Sequence, residues 1–147
     1  DVFTPLPVPL VEKNYFSLPP VGSILPPTIP LSIPAVLDGY WLVLVKPNDF
    51  ISTREAYAAV TPRPSKVSLK DIISQPVKTW RGQMVNDFEA SVFPTHPVVS
   101  SICDQLYMLG ASYAAMSGSG STVYGLFRQQ PVLGDVFSGC FLWQCKL

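Results

Sequence analysis

The sequence predicts a two-layer α+β sandwich of ferredoxin-like type: a four-stranded, mostly antiparallel sheet with helices on one face, preceded by a proline-rich irregular segment. Three observations carry this. A near-continuous apolar run, Tyr40 to Lys46, reads as a buried strand. Three more β-prone runs follow late in the chain, two of them flanking a tight Gly/Ser loop, and strands joined by a tight loop pair antiparallel. Between the early strand and the late ones stand segments with helix caps and helical spacing, which must cover the sheet.

The first element is irregular. Residues 1–36 hold Pro5, Pro7, Pro9, Pro19, Pro20, Pro26, Pro27, Pro30 and Pro34, so neither a helix nor a central strand can form there. The segment is also rich in Leu, Ile and Val, unlike a solvated linker. It reads as an extended strap over the surface, as a proline ligand for an aromatic-lined groove, or as a segment foreign to the domain. A globular domain is expected over 37–147.

Pro47 ends the first strand. Ser52 and Glu55 have capping-box spacing, predicting a helix from Thr53 that includes Tyr57. Thr61 to Ser65, with Pro62 and Pro64, is a turn. Ser68 caps a second segment carrying Leu69, Ile72 and Ile73, which Pro76 breaks or restarts. Trp80, Met84, Phe88 and Val92 recur at intervals of four and predict one helix face. Val98, Ile102, Leu106 and Leu109 predict another, with Gly110 as its C-terminal stop. His96, between Pro94 and Pro97, has no second ligand nearby in sequence and reads as structural or solvated rather than metal-binding. Val136 to Lys146 reads as the last strand.

Composition narrows the function classes. The chain has 147 residues, enough for one cored domain. Net charge is zero, which gives a nucleic-acid partner no electrostatic support. Hydrophobic residues reach 48% against 14% charged, so an apolar face is expected to pack on something else. No run is long enough to span a bilayer, and no secretory leader is read, so a cytoplasmic location is expected. Cys103, Cys140 and Cys145 lack metal-type spacing and read as reduced thiols packed as small apolar residues. No metal site is expected in the chain.

The loop itself is Met116 to Phe127, MSGSGSTVYGLF. Ser117, Gly118, Ser119, Gly120, Ser121 and Thr122 combine backbone freedom with hydroxyl donors and acceptors. Successive backbone N–H groups in such a turn form a concavity for phosphate or another anion. The alternative is a Gly/Ser hairpin turn with no ligand.

Three blocks, LVLVKPNDFISTREAYAAV, VNDFE and MSGSGSTVYGLF, in this order and spacing, resemble the C-terminal domain of the GHMP small-molecule kinases, and within them the 4-diphosphocytidyl-2-C-methyl-D-erythritol kinase family. The resemblance covers about Leu37 to Leu147. Asp1 to Leu10, DVFTPLPVPL, resembles the end of the family's N-terminal kinase domain, whereas Val11 to Val36 has no counterpart. The resemblance implies a two-domain kinase using ATP and Mg to phosphorylate the 2-hydroxyl of a cytidine-diphosphate substrate in non-mevalonate isoprenoid biosynthesis. It implies that Ser117 to Thr122 faces the nucleotide and substrate phosphates, and that Thr53 and Tyr57 border the cytidine pocket. Asn86, Asp87 and Glu89 match an N-D-x-E element, for which a local hydrogen-bonding role is expected. The P-x-x-x-G-L-G-G-G-S-S-type ATP loop and the catalytic aspartate and lysine of the family are absent from these residues, so the partner expected for this chain is an N-terminal kinase domain, and the chain alone is expected to be inactive. The competing class is a non-catalytic ferredoxin-like module that binds a small ligand or mediates assembly.

Overall fold

A computed structural model describes residues 36–147; the proline-rich segment and the kinase-like stretch at 1–10 lie outside the described residues. Strand β1 (Trp41–Lys46) is followed by helices α1 (Thr53–Ala59) and α2 (Leu69–Ile73), a 3-10 turn (Val77–Thr79), and helices α3 (Glu89–Thr95) and α4 (Pro97–Met108). Strands β2 (Tyr113–Met116), β3 (Val123–Phe127) and β4 (Phe141–Lys146) close the domain. The sheet order is β2-β3-β1-β4 and every pairing is antiparallel. β1 and β2 therefore run the same way with β3 between them, which is the split βαβ arrangement expected of a ferredoxin-like sandwich.

Both sequence-predicted caps form. Ser52 accepts the Glu55 N–H at 3.0 Å at the start of α1, and Ser68 accepts that of Asp71 at 3.2 Å at the start of α2. Pro97 occupies the first turn of α4, where its missing N–H costs nothing. The end of α4 is a Schellman motif: the Ala111 N–H donates to Leu106 O and that of Gly110 to Tyr107 O, both at 3.0 Å.

Strand alternation divides the core in two. Val43, Val45, Ala114, Met116, Val123 and Phe127 face one way, beneath Ala56 of α1, Val92 of α3, and Val99, Ile102, Cys103 and Leu106 of α4. α4 sits close to the sheet at Gly125, where a Cβ would come within 3.0 Å of Phe127 and 3.3 Å of Leu106. Tyr113, Ala115 and Leu126 face the other way, against Ile72 of α2, Val77 and Trp80. So α1, α3 and α4 form the expected helical layer, while the Leu69–Met84 segment folds over part of the opposite face.

That division corrects one expectation. Trp80, Met84, Phe88 and Val92 do not share a helix face. Residues 80–88 are turns and irregular chain, with Gly82 at φ 82°, and helix resumes only at Glu89. Trp80 and Met84 pack on one side of the sheet, Phe88 and Val92 on the other. The segment crosses the sheet edge, and a continuous helix cannot make that turn. Two smaller corrections follow. In α4 the inward residue is Val99 rather than Val98, which is 41% exposed. The last strand begins at Phe141, not Val136, because residues 134–139 form turns that bury Leu133 and Phe137 against the first cluster. This connection joins two strands separated by β1, and it does so without a helix.

Candidate functional site

The glycine loop joins β2 to β3 directly after the pair Met116↔Val123. Its base is closed by the Ser117 N–H donating to Thr122 O at 2.8 Å, and a tighter turn inside it by the Gly120 N–H donating to Ser117 O at 3.0 Å. Gly118 (φ 55°) and Gly120 (φ 91°) both lie in the left-handed region, which side chains disfavour. They differ in surroundings. A Cβ at Gly118 would meet nothing within 4 Å, whereas one at Gly120 would come within 2.8 Å of both Ile51 Cδ1 and Met116 Sδ. Gly118 is thus the open side of the loop and Gly120 its seat.

Two side chains, Asn86 from the turn before α3 and Glu89 at the start of α3, hold the loop. Asn86 donates its amide to Met116 O and to Gly118 O, both at 2.8 Å, while its Oδ1 accepts the Phe88 N–H at 3.0 Å. Glu89 Oε1 accepts the Met116 N–H at 2.8 Å. Burial raises the Glu89 carboxyl pKa, and the Met116 hydrogen bond only partly opposes this. Asp87 points elsewhere and accepts the Arg63 N–H at 3.3 Å. The local hydrogen bond expected of N-D-x-E is the one Asn86 Oδ1 accepts from Phe88; beyond it, Asn86 and Glu89 form a long-range clamp on the loop. Its partners lie 27 to 32 residues away in sequence.

The remaining predicted residues fall as follows. Ser117 and Gly118 are exposed, Ser119, Gly120 and Thr122 are half-buried, and Ser121 is 5% exposed. The N–H groups of Gly118 and Ser119 donate to no protein acceptor among the described residues. Thr53 lies exposed at the first position of α1. Tyr57, one turn on, is 63% exposed and stands edge-on to Phe88, with ring centroids 5.0 Å apart. Ile51, just before α1, is the residue that touches Gly120. The structure thus brings the approach to α1, the N-D-x-E clamp and the loop into one neighbourhood. A groove of about 710 Å³ opens beside the loop, lined by Ser117, Gly118, Asn86, Phe88, Tyr124 and Lys70 among others.

His96 has partners that spacing could not reveal. At the junction of α3 and α4 its Nδ1 lies 3.1 Å from both Asp49 carboxylate oxygens and its Nε2 3.1 Å from Glu55 Oε1. Glu55 thus turns away from the Ser52 cap to reach it. The hydrogen bond to Glu55, supported by Asp49, raises the His96 pKa against the opposing effect of burial. Among the described residues no group of three or more His, Cys, Asp or Glu side chains is arranged to hold a metal ion. No helix among them is long and apolar enough to cross a membrane. All three cysteines are free, and burial pushes the Cys103 thiol up to about 12.

Residues 69–136 match the family model of GHMP kinases C terminal. That stretch, residues 69–136, is of the GHMP kinase C-terminal family. The chain is 55% identical over 113 residues to 4-diphosphocytidyl-2-C-methyl-D-erythritol kinase of Parabacteroides distasonis, covering 76% of this chain and 42% of that protein. It is 50% identical over 115 residues to the enzyme of the same name from Bacteroides thetaiotaomicron, covering 78% and 40%. A crystal structure of 4-(cytidine 5'-diphospho)-2C-methyl-D-erythritol kinase superposes with a TM-score of 0.52 at 26% identity, over 67% of this chain and 36% of that one. The chain thus spans less than half the length of each of these kinases.

Proposed function

We propose that 37–147 is the C-terminal domain of an ATP-dependent kinase acting on the 2-hydroxyl of 4-diphosphocytidyl-2-C-methyl-D-erythritol, in isoprenoid biosynthesis, preceded by a proline-rich segment, 1–36, of which 1–10 is the end of the kinase's N-terminal half. The observation that carries this reading is the loop: two adjacent N–H groups, on Gly118 and Ser119, without acceptors among the described residues, beside a glycine with open space around it. The names of the relatives support the substrate class.

Phosphoryl transfer needs positioning and charge neutralisation more than covalent chemistry from the protein. In this reading Ser117 to Thr122 presents backbone N–H groups and hydroxyls to phosphate oxygens. Tyr57, exposed and steadied by Phe88, offers a face for cytosine, and Thr53 borders the same pocket. ATP supplies the transferred group and Mg its charge neutralisation; the metal is assigned to the triphosphate and the N-terminal half. The catalytic lysine and aspartate are also assigned to that half. The domain alone forms one wall of a cleft, so the isolated chain is expected to turn over no ATP at enzyme-like rates. The other half is the partner this wall requires, and the cytoplasm is the location that a small-molecule kinase of this kind implies.

The test is a titration of the chain with cytidine diphosphate, following Tyr57 ring resonances and the loop amides by NMR. Saturable shifts at both are expected. Shifts at neither, with the chain folded, would remove the kinase assignment of these residues.

A further inference from the structure

We propose that Asn86 is a positioning residue that aims the loop at an oxyanion, with Glu89 as its support. This rests on the phosphate-binding reading of the loop.

Peptide orientation sets where the N–H groups of the loop point. In a planar trans peptide the C=O and the following N–H point in opposite directions. The described residues contain one cis bond, Gly120–Ser121, so the peptides from Met116 to Ser119 are trans. Asn86 holds Met116 O and Gly118 O on its own side at 2.8 Å. The Met116 peptide sends the Ser117 N–H away from Asn86, and there it closes the loop base on Thr122 O. The Gly118 peptide likewise sends the Ser119 N–H away. Between them, Ser117 O is held by the Gly120 N–H, which fixes the direction of the Gly118 N–H. The Gly118 and Ser119 N–H groups, which donate to no acceptor among the described residues, therefore belong to peptides anchored through their carbonyls.

The clamp is needed because of Gly118. With no side chain and nothing within 4 Å of its Cβ position, its peptides rotate easily unless something grips them. Asn86 suits the task because its amide has two donor hydrogens for two carbonyls, and its Oδ1 is engaged by the Phe88 N–H, so the amide cannot flip without losing three bonds. Glu89 fixes the strand end from the other direction through the Met116 N–H. Aspartate at 86 would instead set a carboxylate against two carbonyl oxygens. Only its protonated form recovers one donor.

The experiment titrates the isotope-labelled chain with inorganic tripolyphosphate and follows the Gly118 and Ser119 amides. In the wild type these amides are expected to shift saturably. Asn86→Ala is expected to weaken that binding by about tenfold or more, the scale of losing two net hydrogen bonds. Asn86→Asp keeps the shape of the side chain. Its affinity relative to wild type at the same pH is expected to be low at pH 8 and to recover as the pH falls through the new carboxyl's titration; a purely structural lesion would show no such recovery. If wild-type amides shift and both variants bind as wild type does, the positioning role is wrong while the phosphate reading stands. If wild-type amides do not shift, the phosphate reading fails and the inference fails with it. Should Asn86→Ala not fold, the pH-dependent ratio of Asn86→Asp to wild type decides alone.

Discussion

The Tyr57 ring meets the Phe88 ring edge to face at 5.0 Å, and Phe88 donates its own N–H to the Oδ1 of Asn86. The helix proposed to border the base is thus joined, through one aromatic contact, to the residue that grips the glycine loop. Tyr57→Ala is expected to weaken cytidine diphosphate binding by about 1–3 kcal/mol, the usual scale for one base–aromatic stack. Because Tyr57 is mostly exposed, urea midpoints should move little. Tyr57→Phe should retain most of the affinity. Calorimetric titration of the three proteins checks this.

The two loop glycines should respond unequally to alanine. Both have positive φ, so each substitution costs about 1 kcal/mol or more of stability. At Gly120 the new methyl also collides with Ile51 and Met116, so Gly120→Ala should cost distinctly more than Gly118→Ala. Equilibrium urea unfolding reads the order directly.

Glu89 should tolerate loss of charge better than loss of its acceptor. Its pKa is raised by burial, so its contribution to stability is fully present below its ordinary value of 4.5 and is lost as pH rises through the raised value. Glu89→Gln keeps an oxygen for the Met116 N–H and removes the buried charge, and is expected to be neutral or stabilising at pH 7. Glu89→Ala leaves that N–H unsatisfied beside a buried strand end, at a cost of about 1–3 kcal/mol. Thermal melts at pH 7 distinguish the two.

His96 makes stability depend on pH near neutrality. Only the doubly protonated ring donates to Asp49 and Glu55 at once. With a raised pKa its contribution is complete below its ordinary value of 6.5 and is lost as pH climbs through the raised value. The wild-type melting temperature should therefore fall over that interval relative to His96→Gln, whose curve should be flatter there.

Local chemistry was legible and distant chemistry was not. Ser52, Ser68, Pro97 and Gly110 act on neighbours within a few residues, and each does what its spacing predicts. The four-residue period from Trp80 to Val92 misled because it arises from two unrelated packing sites on opposite faces of the sheet. Asn86, Glu89 and His96 could be noticed but not assigned, since each acts on atoms 27 to 47 residues away, and only the folded sheet brings those together. The loop stood out because glycines alternating with serines between two apolar runs have few physical uses.

The tight seat of α4 over Gly125 has a consequence for inheritance of function. The helix rests there because one strand residue carries no side chain, and β2 leads from that helix into the glycine loop. Even a methyl group at position 125 must push Leu106 or Phe127 aside by a few tenths of an ångström. Damaging alleles are therefore expected to map to position 125, under α4, as well as to the glycine loop.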